Sequence, residues 1–207
     1  MLDILLTIAR TKLLMLKGYS SYHAHMLTAD KTDIQAVFDQ KLFELNKVKK
    51  NLNFPKNIQS IAVAILGCAD QRYVDSYDSL FQKLLGREVE TTIYDVTIDH
   101  LPSDTKVVRY DCTKVLPKKY DLIFSHILIN FLNPSQQRSL IDSARISLNN
   151  NGVAIHIYAN DSDCDGFNLE KYVYHLSKEV LKYVPEMNKT YTLSRTYLEK
   201  SKPYNYK

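Results

Sequence analysis

Two carboxylates, a glycine turn and an imidazole occur in this chain at one kind of place, at or just after the end of a short apolar run. Gly67-Cys68-Ala69-Asp70-Gln71 follows Ile61 to Leu66, Asp95 follows Val89 to Tyr94, Asp111-Cys112 follows Lys106 to Tyr110, and His126 follows Tyr120 to Ser125. Carboxylates accept hydrogen bonds, a small residue in a tight turn lets the backbone approach a ligand, and an imidazole titrating near neutrality can take a proton from a hydroxyl. The three cysteines, Cys68, Cys112 and Cys164, are far apart, with no C-x-x-C pair and no His at ligand spacing. Neither a disulfide framework nor a metal site is expected from them.

The runs that carry these residues read as strands, and a further one spans Val153 to Tyr158. Helical patterns separate them. One covers about Tyr73 to Leu85 and is stopped by Gly86; another covers Ser135 to Leu148, with Asn133 as N-cap, Pro134 in the first helical position and Gln136 completing a capping box. This alternation predicts an α/β fold with a doubly wound, mostly parallel sheet. In such a sheet ligands bind beyond the carboxyl ends of the strands, where the strand order reverses, so the residues at strand ends are the candidates for function. The connections around the third strand leave room for no more than a stub of helix.

Two amphipathic helices are expected ahead of the sheet, one on Leu2, Leu5, Leu6, Ala9, Leu13 and Leu16, the other on Ile34, Phe38, Leu42, Leu45 and Val48. After Tyr158 come an acidic loop with Asp161, Asp163 and Asp165, a helix near Leu169 to Tyr183, and a β-prone run Thr190 to Leu198 expected to add a final antiparallel strand. The expected organisation is an N-terminal helical extension or lid over 1–56, an α/β domain over 57–200 and a tail over 201–207.

A chain of 207 residues with 45% hydrophobic residues suits one such domain, and a formal net charge of +4 reflects general Lys usage more than a nucleic-acid footprint. Nucleic acid is therefore not the favoured partner. Asp3, Arg10 and Lys12 interrupt the apolar N-terminal run, so neither membrane insertion nor an export signal is expected, and a reducing cytoplasm fits the cysteine usage. No oligomeric state is implied.

In their order along the chain, the strand ends resemble those of class I S-adenosylmethionine (SAM) methyltransferases over roughly Ile61 to Tyr158. The closest match is Tyr120-Asp121-Leu122-Ile123-Phe124-Ser125-His126, followed by a helix and Leu148-Asn149-Asn150-Asn151-Gly152-Val153-Ala154. The resemblance implies that the turn at Gly67, Cys68, Ala69 and Asp70 approaches the methionine part of SAM. It also implies that Asp95 accepts from the ribose hydroxyls, that Asp111 and Cys112 flank the adenine, and that Ser125 borders the cofactor. His126 would face the transferred methyl and serve as base for a hydroxyl acceptor. Asn130 would share a helical face with it. Tyr19, Tyr22 and His23 lie between the N-terminal helices, where many methyltransferases place a lid over the substrate.

The first loop departs from the family pattern of an acidic residue followed by Gly-x-Gly-x-Gly, because Ile65, Gly67, Ala69 and Gln71 occupy those positions. Ile65 removes a carboxylate, which Asp70 is expected to replace, and Gln71 adds a long side chain. A nicotinamide-type loop fits less well, since the second and third glycines of G-x-G-x-x-G are missing. The expected function is SAM-dependent methyl transfer to a small-molecule acceptor. The alternatives are a non-catalytic, methyltransferase-like binding or scaffold protein, and an RNA or protein methyltransferase using the clusters at Lys47 to Lys50 and Lys118-Lys119.

Overall fold

The computed structural model describes residues 9, 12–13, 31–68, 71–158 and 189–194. Its strands are β1 (Ile61–Leu66), β2 (Val89–Asp95), β3 (Val107–Arg109), β4 (Tyr120–His126), β5 (Leu148–Tyr158) and β6 (Lys189–Ser194). They form one parallel sheet in the order β3-β2-β1-β4-β5-β6. The chain thus has the Rossmann-like α/β fold expected of it.

Strands such as IAVAIL in β1 are apolar throughout because both faces of the sheet are covered. Successive side chains point to opposite faces, so each strand feeds two cores. Val63, Ile65, Leu122, Phe124, Ile155 and Ile157 enter the first; Ala64, Leu66, Ile123 and Ala154 enter the second. The first face is covered by α1 (Lys31–Val48), a short α2 (Gln71–Val74) and α3 (Tyr77–Leu85), through residues including Leu45, Val48, Tyr73, Leu80 and Phe81. The second is covered by α4 (Pro134–Ile146), through Leu140, Ile141 and Ala144. Full burial of each such Leu, Ile or Phe contributes about 1.5–3 kcal/mol.

The predicted helix over Tyr73 to Leu85 is in fact α2 and α3. Ser76 separates them, its hydroxyl donating back to the Tyr73 carbonyl at 2.9 Å and competing with the helical ladder. Gly86 caps α3 at φ 66°, a left-handed conformation that suits glycine. The capping box of α4 is formed, with Gln136 N donating to Asn133 Oδ1 at 2.9 Å and Asn133 N donating to Gln136 Oε1 at 3.0 Å. Among the described residues, no helix precedes or follows β3 directly in the chain.

Two features of the sheet differ from the sequence expectation. The final strand runs parallel to β5, not antiparallel. The connection over 159–188 is long enough for this: a parallel crossover needs a dozen or more residues, whereas an antiparallel return can be made by a tight turn. The second difference is that β5 begins at Leu148. Tyr120 pairs with Leu148 and Leu122 with Val153, so the intervening residues of β5 bulge out. Gly152 makes this possible, since a Cβ there would lie 2.9 Å from the Tyr120 carbonyl oxygen. Asp121 ties the region together, accepting from Ala62 N at 2.9 Å and Asn149 Nδ2 at 2.7 Å.

Among the described residues, no helix is long and apolar enough to cross a membrane. The acidic loop, the helix near 169–183 and the C-terminal tail fall outside the described residues, as does nearly all of the first N-terminal helix.

Candidate functional site

The strand order reverses between β1 and β4, where the register Leu66↔Ser125 sets Gly67 and His126 side by side at the carboxyl edge. Gly67 adopts φ 81°, and its N–H donates to the Tyr94 carbonyl at 2.8 Å. This left-handed turn is why the position holds glycine. The next amide, Cys68 N, donates to Asp95 Oδ2 at 2.6 Å, while Thr97 N donates to Asp95 Oδ1 at 2.9 Å. Asp95 is only 4% exposed. Among the described residues, the carboxylate organising the first loop is therefore that of Asp95, at the end of β2; Asp70 and Ala69 lie outside the described residues. A carboxylate has about four acceptor positions, so two remain for a ligand such as a vicinal diol.

Ile65 lies in the core of the first face. Gln71 turns sideways, accepting from the Thr105 hydroxyl at 2.8 Å and donating to Asp75 Oδ1 at 3.0 Å, and so joins α2 to the β2–β3 connection. The side chain packed on Gly67 is Leu128, whose Cδ1 would sit 3.3 Å from a Cβ at that position.

Beyond β3, Asp111 accepts from the Thr113 hydroxyl at 2.6 Å and from Thr113 N at 3.0 Å, with Lys114 Nζ at 3.8 Å. The Thr113 hydroxyl, with Lys114 as a smaller contribution, holds the carboxyl below its ordinary range. Burial, then the charges of Asp95 and Asp111, push the Cys112 thiol up to about 12, against a smaller opposing backbone hydrogen bond from Gly67. Cys112 is thus protonated at neutral pH and acts as an apolar wall rather than a nucleophile.

At the end of β4 the strand alternation sends adjacent residues to opposite faces. Ser125 lies on the second face, 2.8 Å from Nδ1 of His156 on β5, and both residues are fully buried. Burial lowers the His156 pKa to about 4, so the ring is neutral at pH 7. His126 lies on the first face beneath α1, with Nε2 2.9 Å from Glu44 Oε2. Both side chains are buried. Gln40 Nε2 donates to the other Glu44 oxygen at 2.7 Å. Lys41 of the same helix donates to the Tyr77 hydroxyl at 3.0 Å and lies over the Tyr73 ring, 3.9 Å from its centroid.

The structure thus brings Gly67, Cys68, Asp95 and Cys112 together and separates Ser125 from His126 by the thickness of the sheet. It does not put Asn130 on a helical face with His126. His126 ends β4, the chain turns sharply at Ile127, and Asn130 follows within a 3-10 turn, Leu128–Phe131. Tyr19, Tyr22 and His23 lie outside the described residues. Sequence reasoning missed Glu44, although an acid and Lys41 falling on the stripe of Leu45 and Val48 signal a buried polar cluster. His156 was visible only as a strand residue between Ile155 and Ile157.

Ile127 adopts φ 64° while 8% exposed, with its N–H donating to the Ile157 carbonyl at 2.7 Å. A β-branched residue in the left-handed region is strained by roughly 1–2 kcal/mol. Ile127→Gly is therefore expected to be more stable than Ile127→Ala by about 1 kcal/mol, since both lose nearly the same side chain and only Ala keeps the strain. Urea unfolding of the two variants checks this; the ordinary order, Ala above Gly, would remove the strain.

No protein-family model matches the chain, and no curated protein matches it. Among solved structures, it is similar to one described as a Zn-dependent alcohol dehydrogenase from Rhodobacter sphaeroides, with 18% sequence identity and a TM-score of 0.32. That match covers 49% of this chain and 41% of the other, so the chain spans about two fifths of that protein's length.

Proposed function

We propose that this chain binds SAM across the carboxyl ends of β1, β2 and β3 and transfers its methyl group to a small-molecule acceptor. The observation that carries this reading is the buried Asp95 carboxylate at the end of β2. It is braced by one amide from the first loop and one from its own turn, and it has acceptor capacity for the two hydroxyls of a ribose. The residues described there fit a nucleoside: Gly67 gives a left-handed turn for close backbone approach, and protonated Cys112 gives an apolar edge next to Asp111.

SAM, when bound, supplies a methyl group on a sulfonium that is displaced in line by the acceptor. Orientation provides much of the acceleration in such a displacement, so the chain's main task is to hold the two reactants in place. Asp95 would fix the ribose, and Asp111 and Cys112 the adenine. A small acceptor is favoured over a polyanion because Lys118 is paired with Glu90 at 3.0 Å, which offsets one of the two charges of the Lys118-Lys119 cluster.

A second reading, a methyltransferase-like binding protein without turnover, draws on Leu128 packed against the Gly67 turn. Calorimetry and thermal unfolding with SAM and its demethylated product test both. Ligand at a hundredfold excess over Kd is expected to stabilise the chain by about 2.7 kcal/mol. No heat and no stabilisation at millimolar SAM would sink the enzyme reading; binding that appears only in Leu128→Ala would favour the second.

A further inference from the structure

We propose that Gln71 is a positioning residue for the nucleoside end of the site, clasping the first loop to the β2–β3 connection through Thr105. Its consequence for affinity rests on the methyl-transfer reading; the clasp itself is a matter of geometry. The first loop and the segment that starts at Asp95 meet at two points. At one, Cys68 N donates to Asp95 Oδ2 at 2.6 Å; at the other, the Thr105 hydroxyl donates to Gln71 Oε1 at 2.8 Å. Cys68 and Gln71 are three residues apart and Asp95 and Thr105 ten apart, so the two bonds hold a short loop against both ends of a longer one.

Each side of the clasp is itself held. Gln71 opens α2, whose Tyr73 and Val74 are buried in the first core, and its amide nitrogen donates to Asp75 Oδ1 at 3.0 Å. On the other side Thr105 N donates to the Pro102 carbonyl at 3.1 Å, Leu101 N donates to the Ile98 carbonyl at 3.0 Å, and the side chains of Ile98 and Leu101 pack against the same core. The Thr105 hydroxyl also accepts from Val107 N, at the start of β3, at 3.4 Å. A bond between two anchored segments restrains both of them.

The functional part follows from what the first loop does for Asp95. The Cys68 amide fixes the orientation of that carboxylate, and a clasp at Gln71 keeps the amide in place. A loop ordered before the ligand arrives removes part of the entropic cost of binding, which is the general gain from preorganisation. Gln71 occupies the place of a glycine in the family pattern, and a glycine has no side chain with which to make this bond. Its long side chain is thus the source of the restraint, because it is directed to Thr105 and Asp75.

Calorimetry with SAM on the unaltered chain, Gln71→Ala, Thr105→Val and the double variant tests this, with amide hydrogen exchange at Cys68 read on the same samples. Thr105→Val keeps the shape of the side chain and loses the hydroxyl. Each single substitution is expected to weaken SAM binding about fivefold and to speed exchange of the Cys68 amide; the double variant should be no weaker than either, because both remove the same bond. Thr105→Ser, which keeps the hydroxyl, should bind as the unaltered chain does. Gln71→Gly should bind more weakly, although it restores the glycine of the family pattern. Unchanged affinity in a folded Gln71→Ala, a Thr105→Ser as weak as Thr105→Val, or losses that add in the double variant would overturn the proposal. If the unaltered chain fails to bind SAM, the methyl-transfer reading falls alone, and the Cys68 amide decides the clasp: equal exchange with and without the Gln71 side chain overturns it.

Discussion

Acidification from pH 7 to about pH 4.5 is expected to remove roughly 2 kcal/mol of folding stability through His156 alone, rising to about 3 kcal/mol at lower pH. Burial depresses the folded-state pKa of this ring from 6.5 to about 4. Between those values the unfolded chain takes up a proton that the folded chain refuses. The stability is therefore fully present above pH 6.5 and is lost as the pH falls through the folded value. Because the ring is completely buried, solvent does not screen this effect. Asn at this position keeps a short polar group near the Ser125 hydroxyl and does not titrate. Denaturant unfolding of the unaltered chain and His156→Asn across this range should show the variant losing less stability by that amount. Equal slopes would mean that His156 takes up its proton as readily in the folded chain as in the unfolded one.

His156 also illustrates what the sequence makes legible and what it does not. Period-two alternation between Ile155 and Ile157 marks a strand, but nothing local says that Ser125 lies beside it, since that contact depends on the register of two parallel strands. The same holds across the molecule. Local signals located the strand runs, the Asn133 capping box and the Gly86 stop, because each depends on residues within one turn or one strand. The direction of β6 is not written in its own residues, since a β-prone run pairs in either direction and the long connection before it allows a parallel crossover. The bulge before Gly152 depends on the Tyr120 carbonyl, which is distant in sequence.

In the candidate site, the strand-end positions were legible while the partners were not. Asp95 stood out as a carboxylate at a strand end, yet its bond to Cys68 spans 27 residues, and the pair Glu44–His126 spans 82. Ile65 leaves the first loop without the family's carboxylate, and Asp70 is the replacement that the sequence suggests. The fold meets that need with Asp95, and Gln71 turns away to join α2 to the β2–β3 connection. A glycine count in one loop cannot register compensation that arrives from a neighbouring strand.

Asp95→Ala is accordingly expected to have two separable effects. Removing the carboxylate strands the Cys68 and Thr97 amides, one of them in a buried hydrogen bond, and should cost about 2–4 kcal/mol of stability, since bonds to charged groups contribute more than neutral ones. SAM affinity should fall by about a hundredfold or more, equivalent to roughly 2.7 kcal/mol. Loss of affinity alone would not separate a direct contact with the ribose from disorder of the first loop. A cycle with the demethylated cofactor product and its 2′-deoxy analogue does so. If Asp95 holds the diol, the analogue binds the unaltered chain more weakly than the parent nucleoside, and Asp95→Ala erases most of that difference. If Asp95 serves only the loop, both ligands weaken equally on substitution and the penalty for the missing hydroxyl survives. The second pattern would leave Asp95 as the loop's organiser and withdraw the ribose assignment on which the methyltransferase reading depends.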